Sequence, residues 1–314
     1  MQGIVFVFPG QGSQYVGMGK DIAEHYPEAA EVFTEADKEL GWSISEICFN
    51  GPNEQLVRTE YTQPAILTVS VACFRVLASK GIMPQAVAGH SLGEYSALVA
   101  AGSLEFRDAI KLVTKRAQLM EAAVASGRGG MVAVLGLSAE KVVELCEKVE
   151  KGVAEAVNFN APAQVVVGGD RVGLDNLSKL AKEAGAKKVI PLQVSGPFHS
   201  SLMGPAAREL APVLREVTIS DPNTHVVANF TGNYVRTADE VRESLIKQIN
   251  NPVRWEDSVR RLLDDGYDTF IEVGPGKVLS GLIKRVNRRV RIGQVEDSQS
   301  LEKTLSLLRE AKVE

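Results

Sequence analysis

Cysteine is scarce in this sequence: Cys48, Cys73 and Cys146 are the three among 314 residues, they stand far apart, and no C-x-x-C pair occurs. Neither a disulfide framework nor a zinc site is therefore indicated, and no metal is expected. A basic excess is missing too, the formal net charge being -4. Neutralising a polyanion takes a surplus of Lys and Arg, so nucleic acid and anionic membrane are not expected as main partners. The N-terminus lacks a basic n-region, and its apolar run from Ile4 to Phe8 is too short for a signal peptide or a membrane span. It reads as a buried first strand, and the expected compartment is the cytoplasm. No repeat period or low-complexity segment stands out. The stretch Pro9-Gly10-Gln11-Gly12-Ser13-Gln14 has neither the G-x-x-x-x-G-K-[ST] order nor the G-x-G-x-x-G order, which argues against nucleotide binding. What it offers, directly after a strand, is backbone N–H groups that can surround an anion or oxyanion.

What is present begins with 45% hydrophobic residues, enough to bury a full core as one large domain or a large domain with a small one. The organising stretch is Val87-Ala88-Gly89-His90-Ser91-Leu92-Gly93-Glu94-Tyr95. Gln85 to Ala88 reads as a strand, and Leu92, Tyr95, Ser96, Val99 and Ala100 supply a helix after it. A serine between two glycines at such a junction fits a nucleophile elbow, in which strained backbone presents the hydroxyl and the glycines admit close strand–helix contact. An ordinary glycine-bounded turn is the competing reading. Upstream, Asp21 to Asn50 is amphipathic and broken at Pro27 and Gly41, as short surface helices would be. Thr62-Gln63-Pro64 opens an apolar segment, Ala65 to Ala78, that should form a buried helix ending before Gly81.

Leu104 to Val124 predicts a further helix after Gly102-Ser103. At ~100° per residue from Ala109, the residues Leu112, Val113, Leu119, Met120 and Ala123 form one apolar stripe, and Arg116 falls in its middle. Lys111, Lys115, Gln118 and Glu121 fall on the opposite side. A guanidinium keeps its charge and is costly on a buried face without an anion. Its partner is either a distant Asp or Glu, in a structural ion pair, or a substrate carboxylate.

Ser126-Gly127-Arg128-Gly129-Gly130 reads as a linker. Beyond it come a strand from Met131 to Leu137, a helix from Ala139 to Glu150 capped by Ser138, strands at Val153 to Phe159 and Gln164 to Gly168, a helix from Asp170 to Ala184, and a strand from Ala186 to Val194. That β-α-β-β-α-β order is the ferredoxin-like unit, placed at residues 126–196. The chain then returns through Ser195-Gly196-Pro197-Phe198-His199-Ser200-Ser201 to a helix near Leu202 and to buried strands at Thr224 to Ala228 and Thr269 to Val273. Residues 1–125 and 197–314 are thus expected to form an α/β large domain with a mostly parallel sheet.

A serine hydroxyl needs a base, and four histidines are available. His25 reads as solvated in a polar helix and His225 as packed within a strand. His90 adjoins Ser91, but neighbours at a sharp turn point apart. His199 lies at the domain junction, where clefts form, and is the candidate base, with a capping or structural histidine as the alternative.

Taken together, Pro9-Gly10-Gln11-Gly12-Ser13-Gln14, Gly89-His90-Ser91-Leu92-Gly93-Glu94, Arg116 and Gly196-Pro197-Phe198-His199-Ser200 resemble, in order and over essentially the whole chain, the malonyl-CoA:acyl-carrier-protein transacylases. The resemblance implies a hydrolase-like large domain with an inserted ferredoxin-like domain. It implies Ser91 as nucleophile, His199 as base, backbone N–H groups of Gln11 and Leu92 as oxyanion donors, and Arg116 as the holder of the malonyl carboxylate. Gln248, in Lys247-Gln248-Ile249-Asn250-Asn251-Pro252-Val253, matches the position whose main-chain carbonyl orients the histidine. Phe198 matches the form associated with unbranched malonyl. The implied reaction is ping-pong transfer of malonyl from CoA through a serine ester to the phosphopantetheine thiol of an acyl carrier protein, feeding fatty-acid synthesis with no cofactor and as a monomer. A serine thioesterase would share Ser91 and His199, but no HGGG-type loop is present. A non-catalytic carrier-protein docking component would leave the elbow and its histidine unexplained. Two basic clusters, Lys187 with Lys188 and Lys284, Arg285, Arg288, Arg289 with Arg291, are the expected docking surfaces for an acidic carrier.

Overall fold

The computed structural model describes residues 3–123 and 129–310. A strand buried on both faces needs apolar side chains at every position, and Ile4–Phe8 supplies them as β1. Phe6 and Phe8 join one apolar cluster while Val5 and Val7 join another on the opposite face. After β1 come α1 (Lys20–His25), α2 (Pro27–Leu40), α3 (Ile44–Asn50), α4 (Asn53–Leu56) and α5 (Thr59–Ser79), then β2 (Ala86–Gly89), α6 (Gly93–Ala100) and α7 (Phe106–Ala122). The second stretch is β3 (Gly129–Leu135), α8 (Ala139–Glu147), β4 (Ala154–Ala161), β5 (Gln164–Asp170), α9 (Arg171–Glu183) and β6 (Lys188–Pro191). A 3-10 turn at Ser201–Met203 leads to α10 (Gly204–Glu216), β7 (His225–Ala228), β8 (Asn233–Val235), α11 (Ala238–Gln248) and α12 (Trp255–Asp264), and β9 (Thr269–Val273), α13 (Val278–Val286), β10 (Arg291–Val295) and α14 (Ser298–Glu310) close the chain.

Two sheets result. The larger runs β10-β9-β1-β2-β7-β8, parallel throughout except for the antiparallel β7–β8 pair. Helices cover both of its faces, α5, α6 and α7 among those on the Phe6 side and α12 and α13 on the Val5 side. The smaller sheet, β4-β5-β3-β6, is antiparallel and carries its own apolar cluster under α8 and α9, which is the ferredoxin-like order. Its edge strand β4 is tied to the chain after α11, where Val253 N–H donates to Val157 O and Phe159 N–H donates to Val253 O, at 2.8 and 3.0 Å. The mostly parallel α/β sheet and the inserted antiparallel unit agree with the fold class expected from the sequence.

Several boundaries differ from expectation. The buried helix begins at Thr59, so Pro64 lies inside α5; the proline forgoes one ladder bond, but near-complete burial of the helix outweighs that local loss. Its 21 residues are apolar enough to cross a membrane, yet 83% of the most apolar window is buried within the fold. The linker ends early, because Gly129 and Gly130 pair with Asp170 and Gly169 as the first residues of β3. Residues 126–128 and the end of the α7 helix at Val124 lie outside the described residues. The expected helix to Glu150 stops at Glu147, and the last small-sheet strand is only Lys188–Pro191. His225 is exposed rather than packed: it starts β7 at the sheet margin, with its ring against Tyr234 and Nδ1 3.2 Å from Tyr267 Oη.

Candidate active site

The carboxyl ends of β1, β2 and β7 lie side by side, where parallel α/β sheets place their ligands. The loop after β2 is the strand-to-helix turn read from the sequence. Ser91 sits there at φ 53°, between β2 and α6. Both glycines of the motif are required by space. A Cβ on Gly89 would lie 1.9 Å from the Gly93 backbone, and one on Gly93 would lie 2.0 Å from Phe8 O. Asn229, just past β7, holds the turn from the side: its Oδ1 accepts from Ser91 N–H at 2.6 Å and its Nδ2 donates to Gly89 O at 2.6 Å.

His199 arrives from the return segment, also at positive φ, 63°. Left-handed backbone is uncommon outside glycine and clusters at functional sites. Among the described residues only Ser91, His199 and the hairpin residue Ala163 adopt it without being glycine. His199 Nδ1 donates to the Gln248 carbonyl at 2.8 Å, which leaves Nε2 as the acceptor facing Ser91 Oγ at 2.7 Å. The imidazole is 3% exposed. Burial, and next the positive charge of Arg116, push its pKa down to about 3 against a raising contribution from the Gln248 carbonyl, so at neutral pH the ring is uncharged.

Arg116 is fully buried on α7. Its Nη2 donates to Ser91 Oγ at 3.1 Å and to Gln248 Oε1 at 3.0 Å, its Nη1 donates to Gln63 Oε1 at 2.6 Å, and its guanidinium carbon lies 5.4 Å from the centre of the Tyr95 ring. Among the described residues no carboxylate forms an ion pair with it. The structural ion pair considered for Arg116 is therefore not made. A fork satisfied only by neutral oxygens and pointed at the serine hydroxyl can receive an anion there.

Ser91 and His199 open on a cleft of about 180 Å³ lined also by Gln11, Leu92 and Phe198 from the larger sheet's side and by Met131, Asn158 and Asn160 from the smaller sheet, and Arg116 reaches it from behind through its contact with Ser91 Oγ. Among the described residues no backbone carbonyl accepts from the N–H of Gln11 or of Leu92, which leaves two donors beside the serine. The structure thus brings Ser91, His199, Arg116 and the Gln248 carbonyl into direct contact and sets Gln11, Leu92 and Phe198 on the same cleft. His90 lines the same cleft but has its Nε2 2.8 Å from Asn160 Oδ1 rather than on Ser91, and His25 is exposed on α1. Sequence reasoning missed Gln63, Glu94 and Asn229 as parts of this network. Glu94 carried a signal, since a carboxylate two residues inside an all-buried helix needs partners; Gln63 and Asn229 carried none.

The fold and the site define an α/β protein with a serine at a strained strand-to-helix turn, backed by a neutral histidine, a class of fold suited to acyl chemistry. Its lineage is specific. The chain belongs to the acyl transferase domain family, whose model matches residues 5–303. It is 46% identical to the malonyl CoA-acyl carrier protein transacylase of Bacillus subtilis over 99% of this chain and 98% of that protein. The solved malonyl CoA-acyl carrier protein transacylase of Clostridium perfringens superposes with a TM-score of 0.96 at 44% identity, over 99% of this chain and 98% of the other. A malonyl-transacylase solved in complex with a type II PKS acyl-carrier protein gives 0.94 at 42% identity, over 96% and 99%. The resemblance seen in the motifs is borne out.

Proposed function

We infer that the protein transfers a malonyl group from CoA to the phosphopantetheine thiol of an acyl carrier protein, through an ester on Ser91. The relatives' names point to that reaction, and the observation that carries it here is Arg116, a buried fork without a carboxylate partner, 3.1 Å from the serine hydroxyl. In this reading the malonyl carboxylate takes the place opposite the fork, which sets the thioester carbon against Ser91 Oγ. Ser91 Oγ gives its proton to His199 Nε2 and attacks the carbon. The oxyanion accepts from the N–H groups of Gln11 and Leu92. Collapse breaks the carbon–sulfur bond, and CoA leaves as a thiol with the proton from His199. The carrier thiol then gives its proton to His199 and attacks the ester, and Ser91 Oγ recovers a proton from the imidazolium.

Substrate also acts on the base. Arg116 is one of the causes that depress the His199 pKa, so a carboxylate that neutralises the fork raises the basicity of His199 when malonyl is bound. Phe198, buried beside His199 on the cleft wall, bounds the acyl end and suits an unbranched group. The same proposal treats residues 1–125 with 197–314 as the large domain and 126–196 as the small one. It has the chain work as a monomer in the cytoplasm, with neither nucleic acid nor membrane as partner.

The test is the selectivity between malonyl-CoA and acetyl-CoA. An unpaired buried guanidinium costs about 3–5 kcal/mol, so wild type should favour malonyl by roughly two to four powers of ten in kcat/KM. Arg116→Ala should lose malonyl transfer and narrow or invert that preference, and Arg116→Lys should rescue poorly because a point charge does not reproduce the fork. An unchanged ratio in folded Arg116→Ala would refute the assignment.

A further inference from the structure

Three residues after the serine lies a buried carboxylate that the reaction as written does not use. Glu94, on the first turn of α6, is 1% exposed and is not among the residues lining the cleft. Its Oε2 accepts from Asn229 N–H at 3.0 Å and from Gln248 Nε2 at 2.7 Å. Each of these partners leads back to the reacting groups. Asn229 is the residue whose side chain spans the elbow, from Ser91 N–H to Gly89 O. Gln248 uses its main-chain carbonyl for His199 and its side chain for the elbow and the fork: Nε2 donates to Ser91 O at 3.0 Å, and Oε1 accepts from Arg116 Nη2.

The Gln248 amide has one orientation that satisfies all of these contacts. With Nε2 toward Glu94 and Ser91 O, the oxygen faces Arg116; turned over, the amide would aim its N–H groups at a guanidinium and its oxygen at a carboxylate and a carbonyl. Of the two acceptors fixing Nε2, the Glu94 carboxyl oxygen is the nearer, at 2.7 Å against 3.0 Å to Ser91 O, so its reach sets which way the amide faces. We propose that Glu94 is a positioning residue for selectivity: through the Gln248 amide it holds the Arg116 fork in the orientation that receives the substrate carboxylate, without itself touching substrate. This rests on the reading of Arg116 given above. Burial raises the Glu94 pKa to about 7, against the opposing contributions of Gln248, Asn229 and Arg116. The group can therefore act charged or uncharged, and its reach rather than its charge is what the geometry requires.

Two conservative variants separate reach from charge. Glu94→Gln keeps an oxygen at the Oε2 position and loses the charge; Glu94→Asp keeps the charge and withdraws the carboxylate by one methylene from Gln248 Nε2. The measurement is kcat/KM for acylation by malonyl-CoA and by acetyl-CoA in wild type, both variants and Arg116→Ala, with thermal unfolding recorded for each. The expected result is a malonyl-to-acetyl ratio within about threefold of wild type for Glu94→Gln and lowered on the order of tenfold for Glu94→Asp, chiefly through a higher malonyl KM. If Glu94 serves the fold alone, both thioesters slow together in Glu94→Asp and the ratio stays; that overturns the proposal. A collapse of the ratio in Glu94→Gln overturns it as well, because charge would then be the operative property. An unchanged ratio in Arg116→Ala removes the underlying reading, whereas a collapsed ratio there beside an intact one in Glu94→Asp removes only the role of Glu94.

Discussion

Ser91 and His199 both hold positive φ, at about 1–3 kcal/mol apiece for residues with a Cβ, and the surroundings that offset this are visible. The Asn229 side chain spans the elbow, while the Gln248 carbonyl and Ser91 Oγ fix the two nitrogens of His199. His199→Ala should lower the acylation rate by roughly two to four powers of ten, with His25→Ala and His225→Ala near wild type, since both of those side chains are exposed. A single crippling effect at His90 in a stopped-flow acylation assay would show that the base is misassigned. Charge makes a sharper test. Arg116 lowers the His199 pKa, so the acid limb of the kcat/KM profile, read with the thioester that Arg116→Ala still accepts, should move to higher pH in that variant. Stability should respond to pH through two groups of opposite sign. The His199 pKa falls from 6.5 to about 3 on folding, so the unfolded chain binds the extra proton between these values and stability is lost as pH drops through them. For Glu94 the pKa rises from 4.5 to about 7, so the native state binds the extra proton and stability is lost as pH climbs through that window. Glu94→Gln should therefore gain Tm relative to wild type on going from pH 4.5 to pH 8; a constant difference would contradict the raised pKa.

The elbow is an element whose sequence and space requirement coincide, and glycine substitutions separate the required positions from the free ones. Gly93→Ala places a Cβ 2.0 Å from Phe8 O, and rigid backbone on both sides cannot yield. It should be strongly destabilised and inactive. Gly281, inside α13, has nothing within 4 Å of a Cβ. Gly281→Ala should stabilise by about 0.5–1 kcal/mol, the ordinary helix preference of alanine over glycine; thermal melts of the two proteins decide. Most elements were legible because their signals are local. The apolar run of β1, the Ser138 cap of α8 and the stripe of α7 all name their own structure. The start of α5 was not, since Pro64 normally marks a boundary and only the surrounding core allows the helix to run through it. His225 was misread for a related reason: a position in a strand does not reveal whether the strand's end meets solvent.

At the scale of the molecule, the site is assembled from segments far apart in the chain. Ser91 and His199 could be nominated from motifs, but Gln248 contributes its main-chain carbonyl, which no residue type announces; it came from resemblance alone. Asn229 and Gln63 were silent because an isolated amide in sequence does not say which hydrogen bonds it closes. The cleft between the two sheets is walled partly by Val278, Leu279 and Leu282 of α13, and exposed Arg285, Arg288 and Arg289 lie at and beyond the far end of that helix. Docking of an acidic carrier on this cluster is the expectation to test. Reversing these three charges should raise the KM for carrier protein and flatten its salt dependence while malonyl-CoA kinetics stay as they are. An effect confined to Lys187→Glu with Lys188→Glu would place the docking surface on the smaller sheet. The central claim, a malonyl ester on Ser91 awaiting a thiol, is tested most directly by intact mass after mixing with malonyl-CoA in the absence of acceptor. Wild type should gain one malonyl group that persists until carrier protein or another phosphopantetheine thiol is added, and folded Ser91→Ala should gain none. An adduct on Ser91→Ala, or steady release of free malonate by wild type with no thiol present, would contradict the account.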